Sequence, residues 1–159
     1  KVSSVGIGGP YNLLLRSPVF GQRMLDLLYY LRWHTSLPLP LNEFAILIVG
    51  RHWRSQVEWS AHASIAIKAG LPPNIVAELK DNKRPSAMSP EEAAVFDFVS
   101  ELIADRKVSD ATFVQARAVF SEQQIVDLTA VAGTYVTIAM LLEMAYQGVP
   151  EGREPPFQD

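Results

Sequence analysis

The sequence predicts an all-α protein, a single-domain bundle of six to seven helices. Apolar residues recur at intervals of three and four over most of the chain, which is the spacing of one face of a helix. Two segments open with the Ser-x-x-Glu or Ser-x-x-Gln pattern of a capping box, at Ser89 and Ser121. No second clear strand pattern is present to form a sheet. The 159 residues show no repeat or linker, so we expect one domain over residues 1–159.

Proline and glycine mark the helix ends in the first half of the chain. Ser17 and Pro18 read as an N-cap followed by proline at the first helical position, and Gly70 is suited to end a helix. The segment 41–52 is apolar on most sides, which indicates a buried helix. Its β-branched residues would also suit a strand, but no partner strand is evident. The predicted helices of this half cover residues 19–33, 41–52, 56–69 and 73–81.

Serine caps begin the helices of the second half. Besides the two capping boxes, Ser109 precedes a helical pattern. The longest apolar run, residues 128–142, is shorter than a bilayer requires, so we expect a buried helix and no membrane contact. The predicted helices of this half cover residues 90–105, 110–119 and 122–146. Residues 1–17 and 148–159 are expected to be irregular termini.

The composition excludes several classes of function. The chain has no cysteine, which rules out disulfides, zinc–cysteine sites, iron–sulfur clusters and thiol catalysis. The net charge of −3 without a basic block argues against nucleic acid binding. The charged fraction of 19% is low, which suggests that a partner subunit covers some apolar surface. No signal segment opens the chain, so a cytoplasmic location is expected, although the first residue is Lys1 and not Met.

Three residues in otherwise apolar helices carry usable chemistry. Glu58 and His62 are four residues apart, so they share one face of a helix and can touch. A carboxylate in that position can orient the imidazole and raise its basicity, or act as an acid or base itself. Glu43 joins them if the helices 41–52 and 56–69 pack as a hairpin. The alternative is an exposed pair with a small structural role, with Glu43 favoured only by the dipole at the start of its helix.

Three further residues have less certain roles. Ser55 lies three positions before Glu58, where serine usually caps a helix, and could contact a substrate. Arg51 could bind a substrate carboxylate with two hydrogen bonds, or form a salt bridge. Glu143 either faces the cavity or pairs across an interface. Two glutamates and one histidine could also hold a metal ion, but the order lacks the HExxH pattern, so we expect no metal and no cofactor.

The spacing of these residues resembles that of the carboxymuconolactone decarboxylase and alkyl hydroperoxidase D superfamily. In its peroxidase branch, a glutamate precedes a Cys-x-x-Cys-x-x-x-His motif by the same interval. Ser55 and Glu58 stand at the two cysteines, His62 at the histidine and Glu43 at the glutamate. The run EWSAHASIAIKAGL is similar to the corresponding stretch of the decarboxylase-like branch. The resemblance extends over about residues 16–146, with less specific patterns in the later helices.

The absence of cysteine decides between the branches. Thiol peroxidase chemistry requires a thiolate nucleophile, so this chain cannot follow that route. The resemblance therefore implies a cysteine-free lyase that uses acid–base chemistry on a small carboxylated lactone or related ring compound. In this interpretation His62 is the proton donor or shuttle, oriented by Glu58, and Glu43 fixes His62 or relays the proton. The resemblance also implies an alkyl hydroperoxidase D-like fold and a homo-oligomer, trimeric or hexameric. Alternatives are an isomerase or hydrolase with the same residues, or a non-catalytic oligomeric binding protein.

Overall fold

Helices form the whole architecture of the part of the chain that the structure describes. The structure is a computed structural model that describes residues 9–149, 152 and 154–158. It contains eight helices and no strand within these ranges, which confirms the all-α class. The helices are α1 (Pro10–Leu14), α2 (Pro18–Trp33), α3 (Leu39–His52), α4 (Gln56–Ala69), α5 (Pro73–Lys80), α6 (Pro90–Asp105), α7 (Asp110–Val119) and α8 (Glu122–Met144). All seven predicted helices are present, with ends within two residues of the prediction.

The short helix α1 lies where an irregular segment was expected. Pro10 occupies its first turn, and Leu13 and Leu14 are buried against the core. At the crossing with α2, a side chain at Gly21 would bring its Cβ within 2.5 Å of the Leu14 carbonyl oxygen. Glycine at this position therefore allows α1 to dock, and tertiary packing stabilises a helix of only five residues. Residues 1–8 of the expected irregular terminus lie outside the described residues.

The central element of the bundle is α3. Every residue from Leu41 to Gly50 is buried, and α3 packs against α4, α6 and α8. Two polar side chains lie inside this apolar helix. Asn42 donates a hydrogen bond to the carbonyl oxygen of Leu31 at 2.9 Å, which joins α3 to the end of α2. Glu43 has no exposed surface, so its charge needs partners within the protein.

A tight turn joins α3 to α4 as an antiparallel hairpin. Arg54 adopts a positive φ of 51°, and the Ser55 amide donates to the Gly50 carbonyl oxygen at 2.8 Å. The missing side chain of Gly50 leaves α4 close to α3, since a Cβ at that position would lie 3.5 Å from the Glu58 Cβ. The expected hairpin is therefore present, and it places the buried side of α4 against α3.

The long helix α8 also packs against α3. Its Asp127 accepts hydrogen bonds from the Ser36 amide at 2.8 Å and the Ser36 hydroxyl at 2.7 Å, which fixes the α2–α3 connection. Among the described residues, α8 is the one helix long and apolar enough to cross a membrane by length and composition. Since 56% of that stretch is buried inside the protein, its length and apolar composition are also those of a helix in a protein core.

The described residues of the C-terminal segment lie beside the α3–α4 turn and form no regular secondary structure. The Phe157 ring packs against buried Trp59 at 5.2 Å, and the Phe157 amide donates to Gln56 Oε1 at 3.0 Å. This docking buries Phe157 in a segment that we expected to be an irregular terminus. Residues 150, 151, 153 and 159 lie outside the described residues.

Candidate active site

A buried hydrogen bond between a histidine and a glutamate links the two helices of the hairpin. The Nδ1 atom of His62, on α4, lies 2.6 Å from Oε2 of Glu43, on α3. Glu43 is fully buried and His62 is 6% exposed. A carboxylate can only accept hydrogen bonds, so we assign this bond as one that Nδ1–H of His62 donates. The short distance is that of a charge-assisted bond. The contact fixes the imidazole ring and leaves Nε2 free.

Arg32 is the second partner of Glu43. Its Nη2 atom lies 3.5 Å from Glu43 Oε1, the oxygen that His62 does not use. The guanidinium also stacks over the Trp33 ring, with 5.1 Å between its central carbon and the ring centroid. Three helices thus meet at one carboxylate, since Arg32 belongs to α2. A cation and an imidazole together compensate the burial of the Glu43 charge.

Glu58 shares a face of α4 with His62 but does not orient it. Glu58 is 3% exposed, and neither of its carboxyl oxygens has a hydrogen-bond partner among the described residues. The sequence predicts that Glu58 orients the imidazole and that Glu43 fixes it or relays a proton. The structure places Glu43, and not Glu58, on Nδ1. The spacing of four residues places Glu58 and His62 on one face of α4. The Nδ1 atom of His62, however, faces the buried carboxylate of Glu43 on α3.

Burial raises the pKa of Glu58 from its ordinary 4.5 to about 8. The main cause is that the apolar surroundings penalise the charged form. The nearby hydroxyl of Ser55 lowers the pKa in part, and the negative charge of Glu143 raises it. At neutral pH most Glu58 side chains are therefore protonated, and each carries an O–H that can donate to a bound molecule.

His62 and Glu58 face a common cavity of about 110 Å³. An engineered apolar cavity that holds benzene has about 150 Å³, so this cavity is smaller than one that encloses a six-membered ring. Most of the wall surface is apolar, and its polar groups come from two tyrosines, an arginine, a glutamate and a histidine. The lining residues are Pro10, Tyr11, Leu28, Arg32, Val57, Glu58, Ala61, His62, Tyr135, Ile138 and Leu142.

Tyr135 contributes a third proton donor to the cavity. Its ring meets the His62 ring edge-on, with centroids 5.2 Å apart and planes at 90°. Burial raises the pKa of Tyr135 above its usual range, so the phenol stays protonated at any pH where the protein operates. Together the walls supply a histidine fixed by a carboxylate, a neutral carboxylic acid, a phenol and a guanidinium. This set can move protons and stabilise a developing negative charge.

The remaining candidates lie outside this cavity. Ser55 is buried as the N-cap residue of α4 and does not line the wall. Arg51, expected to bind a substrate carboxylate, donates from Nε to the Lys80 carbonyl oxygen at 3.0 Å and stacks on Phe157. Glu143 is exposed and acts on the cavity only through its charge. Within the described residues, no three acidic, histidine or cysteine side chains are grouped to hold a metal ion.

Two important cavity residues were not found from the sequence. Arg32 ends the last turn of α2, where a basic residue is common because of the helix dipole, and Tyr135 is one aromatic residue within an apolar helix. Neither has a spacing relation to His62 along the chain. They reach the cavity only because α2 and α8 both pack on α3.

Comparison with known proteins supports the fold but not a particular activity. No protein-family model and no curated protein sequence matches the chain. The structure is similar to the crystal structure of an uncharacterized peroxidase-related protein from Silicibacter sp. TM1040, with a TM-score of 0.75. The two share 16% sequence identity over 89% of this chain and 76% of the other. This likeness and the all-helical architecture fit the alkyl hydroperoxidase D-like fold in general.

The raised pKa of Glu58 leads to a prediction about stability. In the folded protein Glu58 keeps a proton that it releases above pH 4.5 in the unfolded chain. Its contribution to the free energy of unfolding is therefore fully present below pH 4.5 and is lost as the pH rises to about 8. We expect the free energy of unfolding of the wild type to fall relative to that of Glu58→Gln by up to about 1.4 kcal/mol per pH unit in this interval. Urea unfolding of both proteins from pH 4 to pH 9 measures the difference.

The matched control is Glu91→Gln, which changes an exposed glutamate in the first turn of α6. Its unfolding free energy should stay parallel to that of the wild type over the same range. If the unfolding free energies of Glu58→Gln and the wild type also ran parallel with pH, Glu58 would be ionised in the folded protein at neutral pH, which would contradict the prediction.

Proposed function

We propose that this protein is a cofactor-independent carbon–carbon lyase that resembles carboxymuconolactone decarboxylase. Its substrate is a small carboxylated lactone or related ring compound. The observation that supports this most directly is that a histidine fixed by a buried carboxylate lines one largely apolar cavity together with a protonated glutamate, which has no hydrogen-bond partner among the described residues. These are groups that deliver a proton to carbon at neutral pH.

The reaction would break the bond between the ring and its carboxylate. Carbon dioxide leaves, and the electron pair of that bond moves into the ring, where the lactone carbonyl delocalises it as a dienolate. The neutral acid of Glu58 and the phenol of Tyr135 can donate hydrogen bonds to the oxygen where this charge develops. Both donors are fixed by burial before the substrate arrives, so little reorganisation accompanies the charge movement.

His62 would complete the reaction by protonating the ring carbon. Its Nε2 is the ring nitrogen that Glu43 leaves free, and the side chain lines the cavity. The Glu43 carboxylate stabilises the imidazolium form that carries the proton. After transfer, the proton is replaced from solvent, so one proton is consumed for each carbon dioxide released. Glu43 acts in this scheme as a positioning residue.

The aliphatic wall is consistent with a decarboxylation. Leu28, Val57, Ile138 and Leu142 form much of the cavity surface. The ring of the substrate and the uncharged carbon dioxide that leaves are both compatible with this apolar surface.

An isomerase is the second candidate function, because two different proton carriers line the same cavity. A base such as His62 could remove a proton from one ring carbon while protonated Glu58 supplies one to another. No carbon would be lost in this reaction, so the mass of the product separates it from the lyase.

Release of carbon dioxide from a panel of carboxylated lactones tests the proposed reaction. We expect release with the wild-type protein and a loss of about 10²-fold or more in His62→Gln, because the residue that transfers the proton is removed. His52→Gln is the matched control, since His52 is exposed at the end of α3 and lies outside the cavity. Circular dichroism establishes that each variant is folded.

Three results would count against the lyase. Full activity in His62→Gln would remove that residue from the mechanism. Conversion of a lactone without a change of mass would favour the isomerase. Failure to bind or convert any member of the panel, together with reduced stability in His62→Gln, would favour a structural role for the buried pair.

We also propose that the protein assembles as a homo-oligomer, a trimer or hexamer. Exposed large apolar side chains are concentrated on α1, α2 and the connection between them, and this density exceeds the usual scatter on a monomer. These residues are Tyr11, Leu15, Val19, Phe20, Leu25, Leu27, Tyr29, Tyr30 and Trp33. The same region borders the cavity through Tyr11 and Leu28, so assembly would cover the cavity mouth.

Sedimentation analysis tests the assembly. We expect a trimer or hexamer for the wild type and smaller species for the double variant Val19→Glu, Leu27→Glu, because burying two carboxylates in an apolar contact is costly. The control is Val114→Glu, Val126→Glu, which charges two exposed valines on α7 and α8. A monomeric wild type would refute the oligomer, and an unchanged double variant would place the interface elsewhere.

A further inference from the structure

We propose that Arg32 is the residue that binds the substrate, through a carboxylate group, and that the cavity therefore selects small ring compounds with a single negative charge. This inference rests on the proposed function in taking the cavity as the substrate site. It assigns the binding role to a residue that the spacing of the sequence does not single out.

The position of Arg32 satisfies the first requirement for this role. Its side chain lines the same cavity as Glu58 and His62, and it is 22% exposed, so a ligand can reach it. By contrast, Arg51 lies beside a different depression, together with His52 and Lys83. The distinction between the two arginines comes from the packing of α2 on α3 and not from the order of residues in the chain.

The hydrogen-bonding capacity of Arg32 is largely unused. A guanidinium has five N–H donors in a planar fork that matches a carboxylate. The Nη2 atom reaches Glu43 only at 3.5 Å, the limit of a hydrogen bond. Nε is buried and has no partner among the described residues, so a ligand carboxylate would meet the exposed part of the guanidinium and not Nε.

The second unpartnered group in the cavity is compatible with an anion. Glu58 is only 3% exposed, and its carboxyl oxygens also lack hydrogen-bond partners among the described residues. Because its protonated form predominates at neutral pH, it offers an O–H and does not repel a carboxylate. Among the described lining residues, Arg32 is then the one permanent charge in the wall.

The rest of the wall limits the ligand to one charge. Beside the polar side chains, the surface is formed by aliphatic residues such as Leu28, Ile138 and Leu142. A second carboxylate would lose its water against this surface without gaining a partner. A neutral ring would form no charge-assisted hydrogen bond with the guanidinium of Arg32. The preferred ligand is therefore a small ring with one carboxylate.

Binding of unreactive ring compounds tests this inference separately from any turnover. The probes are 2-furoate, its neutral counterpart furfuryl alcohol and 3,4-furandicarboxylate, each titrated into the wild-type protein and followed by NMR. We expect 2-furoate to bind at least tenfold more tightly than either of the others. In Arg32→Met the preference for furoate over the alcohol should disappear, because the charge and its donors are gone. Arg51→Met, the matched control, should retain the preference.

Further measurements make the test independent of whether Arg32→Met folds. Arg32→Lys keeps the charge without the planar fork, and we expect it to retain part of the preference. In the unaltered protein, furoate should shift the Nε–H resonance of Arg32 and leave that of Arg51 in place. Unchanged furoate affinity in a folded Arg32→Met, or no shift at Arg32 in the wild type, would overturn the inference. Since no probe is decarboxylated, these results stand whether or not the lyase proposal holds.

Discussion

The contact between Glu43 and His62 is the interaction on which the rest of the site depends. A fully buried carboxylate is tolerated only with close partners, and Glu43 has two, at 2.6 Å and 3.5 Å. These partners come from α4 and α2, so one charge determines how three helices meet. The same contact turns the His62 ring so that Nε2 is the nitrogen left free. The contact that compensates the buried charge of Glu43 therefore also positions His62 as a proton donor.

Most of the fold can be predicted from the sequence because its signals are local. The capping boxes at Ser89 and Ser121 both form as expected, and apolar periodicity gives the helices between them. The helix α1 was missed because five residues cannot sustain a helix alone. The helix can pack here because residue 21 is glycine: a Cβ at this position would lie only 2.5 Å from the Leu14 carbonyl oxygen. Such a contact between segments has no signature in local propensity.

The site was only partly predictable for a related physical reason. The spacing places Glu58 and His62 on one face of α4, and the hairpin adds Glu43, but spacing does not determine which carboxylate a ring nitrogen meets. Glu58 instead has no hydrogen-bond partner within the described part of the chain, and its burial favours the neutral acid. Arg32 and Tyr135 enter from other helices and could be found only in three dimensions. The likeness to a solved structure at 16% identity supports the fold, so the functional argument depends on these side chains.

The most direct test of this account is the protonation of the His62 ring nitrogens, measured by ¹⁵N NMR with selectively labelled histidine. The tautomer of an imidazole is set by the hydrogen bond that one of its nitrogens makes. We predict that in the neutral ring the proton resides on Nδ1 and Nε2 is free, and that Glu43→Gln weakens this preference. A neutral ring with its proton on Nε2, or a tautomer unaffected by Glu43→Gln, would contradict the claim that Glu43 prepares His62 for proton transfer.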